Sequence, residues 1–302
     1  MERKLIKQGG GGYTIYLPKK WIDEKGLKEG DKIEISEEEG FLVIGGVSNK
    51  ENTIEIVLND ENKGNIKNIL THVYRRGFNK IFLRDVNLDL IREVKRITSD
   101  LLLGFEVTEQ TNNFCILENI SEPSGEKYDV ILRKIFFTIK DSFDLILNNY
   151  KEYESTYREL EEMKNSSVKM ILFCRRMLMK EKYSKNIVFN WELLTFLSHI
   201  QKTIFYLYKQ VYENKIKEDK DISKMIEKSG EHFEFVQKAF YEKDLVYLEK
   251  LHKSSVKYAY NEILELISKS KGKKSVVLAY LKELLRLIKT AGSPVRSMLI
   301  NY

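Results

Sequence analysis

With only three prolines in 302 residues, the bulk of this chain is neither collagen-like, proline-rich nor low-complexity. Its two cysteines, Cys115 and Cys174, lie far apart, with no CxxC partner and no nearby histidine. That argues against a disulfide framework or a zinc site and makes a reducing compartment, the cytoplasm, the expected location. The four histidines, His72, His199, His232 and His252, show no metal-ligand spacing. No apolar run approaches the roughly 20 residues of a membrane-spanning helix. The start, MERKLIKQGGGG, lacks a basic-then-apolar leader. No glycine-rich phosphate loop follows a strand-like segment, and no nucleophile has a neighbouring base. An enzyme is therefore the least supported class, and no cofactor is expected.

What is present is a globular balance of 42% hydrophobic and 32% charged residues, with a net charge of +6 whose distribution matters more than its sum. The first forty-odd residues read as short strands around one short helix. Lys4–Lys7 and Tyr13–Leu17 flank Gly9–Gly12, and Pro18 closes the second run. Lys19–Lys25 is helix-like, with Gly26 as a left-handed C-terminal residue. Lys32–Ser36 and Phe41–Ile44 form a hairpin with a charged tip at Glu37–Gly40. From 51 to 120 the pattern is β-α-β-α-β-β, a small open α/β sandwich. Ser121–Gly125 is the clearest linker. Beyond it apolar residues recur three and four apart, as in Ile131, Ile135, Phe136, Ile139 and Phe143. This predicts six helices over about 127–149, 152–181, 186–216, 221–242, 244–270 and 273–300.

The helical half repeats. Ser166-Ser167-Val168-Lys169 recurs 88 residues later as Ser254-Ser255-Val256-Lys257. At the same offset Tyr153-Glu154 meets Tyr241-Glu242 and Leu160-Glu161 meets Leu248-Glu249, while Lys202-Thr203 meets Lys289-Thr290 at an offset of 87. The reading is two related three-helix bundles in tandem.

Two stretches resemble known families. Gly12-Tyr13-Thr14-Ile15-Tyr16-Leu17-Pro18-Lys19, then Trp21, then Gly26-Leu27-Lys28-Glu29-Gly30-Asp31 before Lys32–Ile35 resembles the strand–Pro–helix–Gly-x-x-x-Gly-Asp–strand pattern of the SpoVT-AbrB swapped-hairpin domain in its archaeal form. The tandem triplets resemble PhoU. Together they resemble archaeal phosphate uptake regulators. The resemblance implies a multidomain α+β chain. Residues 1–48 would form a dimeric swapped-hairpin β-barrel that binds DNA, 51–120 a small α/β domain, and 126–302 a PhoU-like pair of three-helix bundles. It implies a DNA-binding transcriptional regulator of phosphate uptake, partnered by double-stranded DNA and a second copy of itself. The alternative is a signalling adaptor in which the head is only a dimer clamp and the tail docks on a phosphate transporter or its regulatory kinase.

The tail departs from the PhoU pattern. Where that family carries a Glu-x-x-x-Asp motif on each third helix, this chain reads Ser198-His199-Ile200-Gln201-Lys202 and Leu285-Arg286-Leu287-Ile288-Lys289. Lysine stands for aspartate in both copies, so no metal cluster of that type is expected.

Three candidate sites follow. On the head, Arg3, Lys4, Lys7, Lys19 and Lys20 stand against one acid up to Trp21, a net +4 per chain. Such a patch gives phosphate affinity without sequence reading, or is simply a set of solvated charges. Thr14, where many bacterial members have arginine, can meet a phosphate or a thymine methyl but cannot grip guanine bidentately. The glycine run lets backbone approach phosphate, or merely joins two strands. In the tail, Lys202 and Lys289, with His199 and Arg286, would converge on an anion in one inner groove; otherwise they pair internally or face water. The third is a basic C-terminal strip, Lys271, Lys273, Lys274, Lys282, Arg286, Lys289 and Arg296 against only Glu283, which extends the DNA footprint, meets an anionic membrane surface or is an ordinary solvated face.

Overall fold

The computed structural model describes residues 2–38, 41–46, 52–121, 126–180 and 186–300. The tip of the charged hairpin at 39–40 and the linker at 122–125 lie outside them. The chain divides into two compact units, Met1–Glu51 and Asn52–Tyr302.

The N-terminal unit is two antiparallel hairpins and a short helix. Strands β1 (Ile6–Gln8) and β2 (Gly12–Thr14) pair with Lys7 opposite Tyr13 and Ile6 opposite Thr14. Gly9 and Gly11 turn between them at φ of 53° and 130°, a region that L side chains avoid. Helix α1 (Lys19–Lys25) ends at Gly26, whose φ of 65° is the expected left-handed cap. Strands β3 (Ile33–Glu38) and β4 (Phe41–Gly46) form the second hairpin. The second run ends as strand at Thr14 rather than at Leu17. Among the described residues the two hairpins do not close into the expected barrel. The resemblance implies an interleaved barrel whose strands come from two chains, so one chain would hold half of them.

The C-terminal unit starts with a mixed sheet. Strands β5 (Thr53–Val57), β6 (Lys80–Arg84), β7 (Phe105–Gln110) and β8 (Phe114–Asn119) are ordered β5-β6-β8-β7, with β5 and β6 parallel and the other pairs antiparallel. The parallel crossover is helix α2 (Ile66–Arg75), and α3 (Leu88–Leu101) links β6 to β7. Asn87 caps α3 by accepting from the Leu90 amide. Gly104 is obligatory in the following turn: its φ is 83°, and a Cβ there would lie 2.3 Å from the Ser121 carbonyl oxygen. Ile81, Leu83, Cys115 and Leu117 from the sheet and Leu70, Tyr74, Ile91, Val94 and Ile97 from the helices bury each other in one core.

The helical part comprises α4 (Glu126–Asn148), α5 (Tyr153–Lys180) and α6 (Ile187–Asn214), then α7 (Lys220–Glu242), α8 (Val246–Lys257), α9 (Ile263–Lys269) and α10 (Lys273–Leu299). The predicted fifth helix is interrupted by a π turn at Tyr258–Glu262, where α8 passes into α9. The third helices of the two triplets, α6 and α10, pack on each other, and a second core runs through all the helices. Two repeat-related pairs share their burial: Leu160 and Leu248 are core, and Ser167 and Ser255 are both buried small residues with unpartnered hydroxyls.

One buried cation joins the sheet layer to the helices. Arg176 of α5 donates to the carbonyls of Tyr74 at 3.1 Å and Phe78 at 2.7 Å and to Oδ1 of Asn79 at 2.9 Å. Its guanidinium also lies over the rings of Tyr74 and Phe105 at 5.2 and 4.9 Å. The Tyr74 carbonyl belongs to the last turn of α2, the negative end of the helix dipole. One face of α5 carries the rest of the contact. Leu172 enters the sheet-layer core, Val168 packs against it, and Lys169 donates to the Ser99 carbonyl near the end of α3 at 2.7 Å. Val256, the repeat counterpart of Val168, is exposed, as are Tyr260 and Leu264 one and two turns on.

Replacing Arg176 with Met removes a planar fork from several acceptors that are out of water. Arg176→Met is expected to cost about 3 kcal/mol of unfolding free energy, with Arg176→Lys intermediate; urea denaturation of both variants measures this.

Candidate functional site: a basic head and a basic groove

The N-terminal unit presents its cations to solvent. Arg3, Lys4, Lys7, Lys19 and Lys20 are all exposed, and Thr14 is half-buried. The pairing register sets Thr14 beside Ile6, on the opposite hairpin face from Lys7 and Tyr13. Lys7 and Thr14 therefore do not read one surface together. Lys20 approaches Glu24 at 3.9 Å with both side chains exposed, a pair worth little. None of the described side chains in this unit is buried, and large apolar ones are open to water, with Tyr16 at 69% and Leu42 at 71% exposure.

The four tail residues expected to converge do not form one site. Lys289 donates to the Tyr260 hydroxyl at 2.9 Å and lies over its ring at 4.6 Å, against the π turn. Arg286 is held by Glu283 through two hydrogen bonds of 2.7 and 2.6 Å. His199 is exposed, its proton affinity lowered first by desolvation of the ring and then by Lys202 and Arg175. Each third-helix lysine faces the second helix of its own triplet, so the repeat sends Lys202 and Lys289 to different flanks. The C-terminal strip is neutralised in part: Lys274 meets Asp219 and Asp221 at 2.9 and 2.8 Å, and Arg296 meets Glu249 at 2.9 Å.

Lys202 instead belongs to a groove of about 410 Å³ between α2, α5 and α6. Lys67 and Arg75 line it from α2, Lys164 and Arg175 from α5, and Lys202 from α6. Asn68, Thr71, Asn165 and Ser198 add uncharged polar groups, Tyr206 stands at the rim, and no carboxylate lines it among the described residues. Arg75 donates to Nδ1 of His72 at 2.7 Å, which makes that nitrogen the acceptor and the imidazole neutral. Arg175 donates to the Thr195 hydroxyl at 2.8 Å and stacks over Trp191 at 5.2 Å, while its Nε is buried without a partner. Burial, then Arg75, lowers the Arg175 pKa to about 10. Desolvation of the ammonium, then Arg175, Lys67 and Lys164, pulls Lys202 down. Lys164 is pulled down by burial against the opposing pull of Glu161, at 3.6 Å. A wider depression of about 650 Å³ near the ends of α4 and α6 differs in chemistry, since Glu218 lines it and pairs with Lys151 at 3.1 Å.

The sequence reading missed Lys67, Arg75, Lys164 and Arg175. The available signal was spacing: Lys164 and Arg175 are eleven apart, close to three whole turns, and Lys67 and Arg75 are eight apart, an i, i+8 spacing within one broad helix face. Among the described residues no group of three or more His, Cys, Asp or Glu could hold a metal ion. Both thiols are buried, and desolvation raises Cys115 to about 11 and Cys174 to about 12, so neither is a nucleophile at neutral pH. No helix among the described residues is long and apolar enough to cross a membrane.

A small β-hairpin module without its own core, followed by a sheet-and-helix unit, is the class that the geometry defines. Residues 6–51 match the family model described as antidote-toxin recognition MazE, bacterial antitoxin. The N-terminal unit is thus a MazE/AbrB-like domain, which fits the SpoVT-AbrB resemblance of the head. No curated protein and no solved structure matches the chain.

His232 of α7 supplies a pH test of the helical unit. It is fully buried, its Nε2 lies 2.6 Å from the Ser254 hydroxyl and its Nδ1 has no partner. Desolvation lowers its pKa from 6.5 to about 4, with Glu231 opposing and Lys228 assisting. In that interval the unfolded chain binds a proton that the folded one refuses, so stability is full above 6.5 and drains as pH falls toward 4. The melting temperature is expected to drop over this window, and the drop to be smaller in His232→Gln.

Proposed function

We propose that the chain is a homodimeric DNA-binding regulator whose N-terminal unit contacts the duplex and whose C-terminal unit takes a signal. The observation that carries this reading is the state of the head. It has no buried side chain among the described residues, large apolar groups in water and a net +4 before residue 22. A unit of some fifty residues in that state requires a partner to bury its apolar surface. MazE/AbrB-like domains typically dimerise and bind DNA, and a second copy with interleaved hairpins supplies that surface. Two-fold pairing then sets two basic patches side by side, matching the pseudo-two-fold symmetry of a duplex. The resemblance of the whole chain to phosphate uptake regulators supports phosphate uptake as the regulated process.

Fluorescence anisotropy of the full chain on duplex fragments at several salt concentrations tests the reading. Binding should fall steeply with salt. In Lys4→Ala/Lys7→Ala/Lys19→Ala/Lys20→Ala it should weaken uniformly across sequences, with the slope of log K on log salt shallower by about 0.9 for each phosphate that is no longer neutralised. The variant should still elute as a dimer. An inert wild-type chain at low salt, still dimeric, would leave the head as a clamp and favour the adaptor that acts on a phosphate transporter or its kinase.

A further inference from the structure

The groove between α2, α5 and α6 holds five cationic side chains from three helices and no lining carboxylate. Elsewhere in the same unit several cations are matched: Lys274 by two aspartates, Arg286 by Glu283, Arg296 by Glu249 and Lys151 by Glu218. Among the described residues only Lys164 of the groove cations has a carboxylate partner, Glu161, which lies outside the lining. Arg75 and Arg175 spend donors on neutral His72 and Thr195, and the buried Nε of Arg175 has no acceptor. Lys67 and Lys202 are exposed and Arg75, Lys164 and Arg175 half-buried; clustering these like charges raises the energy of the protein, and a bound polyanion reverses the sign of that term.

The space and its other groups narrow the ligand. About 410 Å³ lies in the range of small-molecule sites and exceeds what one orthophosphate needs. Five charges on three helices match the several negative charges of a phosphate chain better than those of one orthophosphate. Asn68, Thr71, Asn165 and Ser198 offer hydrogen bonds beside the cations, and the exposed ring of Tyr206 offers a stacking face at the rim. We propose that this groove binds a small molecule carrying two or more contiguous phosphates, of the size of a nucleoside triphosphate. Lys67, Arg75, Lys164, Arg175 and Lys202 hold the phosphates, and Tyr206 meets the remainder. This deepens the regulator reading by naming the signal, and it rests on that reading for its output alone, since ligand binding is measured without DNA.

Occupancy would also bear on the sheet layer. The groove spans α2 on one side and α5 and α6 on the other, and Arg175 is adjacent to Arg176, which ties α2 to α5. A ligand that bridges these helices binds the docked arrangement and stabilises it by mass action.

The test is isothermal titration of the full chain, free of magnesium, with ATP, inorganic tripolyphosphate and orthophosphate. The parent carries Arg3→Ala/Lys4→Ala/Lys7→Ala/Lys19→Ala/Lys20→Ala, which removes the cations of the head's basic patch, so failure of the DNA reading leaves the result intact. Tripolyphosphate and ATP are expected to bind one site per chain, with orthophosphate weaker. The exposed pair Lys67→Ala/Lys202→Ala should weaken binding about tenfold or more, while Lys151→Ala/Lys217→Ala, at the other depression, should not. ATP tighter than tripolyphosphate, with the excess abolished in Tyr206→Ala, assigns the rim; equal affinities assign recognition to the phosphates. Absence of binding by both polyphosphates, or binding that Lys67→Ala/Lys202→Ala leaves unchanged, overturns the proposal.

Discussion

The arrangement of the C-terminal unit depends on a guanidinium held out of water. Arg176 meets the carbonyls of Tyr74 and Phe78, the side-chain oxygen of Asn79 and two ring faces, all on the sheet layer. A charge in that position is tolerable because each contact is an electron-rich surface and one carbonyl lies at a helix C-terminus. The planar fork fixes orientation as well as distance. The same stretch of α5 that docks the sheet layer also presents Arg175 to the groove, so the packing contact and the charged cleft share one helix turn. Leu172 and Lys169 extend the contact along the helix and align α5 with both α2 and α3.

The two units solve burial differently. The larger one has a core for its sheet layer and another through its helices. The smaller one has hairpins too short, and too sparsely apolar, to cover their own side chains. Interdigitation with a second chain, as proposed above, would turn that deficit into a specific geometry. A monomeric head would present one basic patch in no fixed relation to another; a paired head would present two at a set spacing.

Local signals were strong enough to read from sequence. The left-handed Gly26, the β-α-β-α-β-β order and the helix spans each follow from spacing within a dozen residues. The π turn at Tyr258–Glu262 did not show, because one extra residue in a helical pattern leaves the apolar repeat almost intact. Arg176 was invisible for a sharper reason: an arginine in a long amphipathic helix reads as a surface charge, and only the arrival of α2 makes it interior. Pairing Lys202 with Lys289 failed because sequence repetition fixes equivalence within each triplet, not proximity between them. The groove draws its cations from residues 67 to 202, a span that no local window covers.

Val168 and Val256 occupy matching places in nearly identical tetrapeptides, yet one is against the sheet layer and the other is in water. Two copies of one helical pattern have thus acquired unequal freedom to vary. Changes along the Val168–Arg176 face disturb a packed interface, and changes along Val256, Tyr260 and Leu264 disturb little of the fold. Drift in the second copy's face is therefore cheap for folding, and the similarity between the copies should erode there first, leaving the inward serines at 167 and 255 as the longer-lived trace of the repeat.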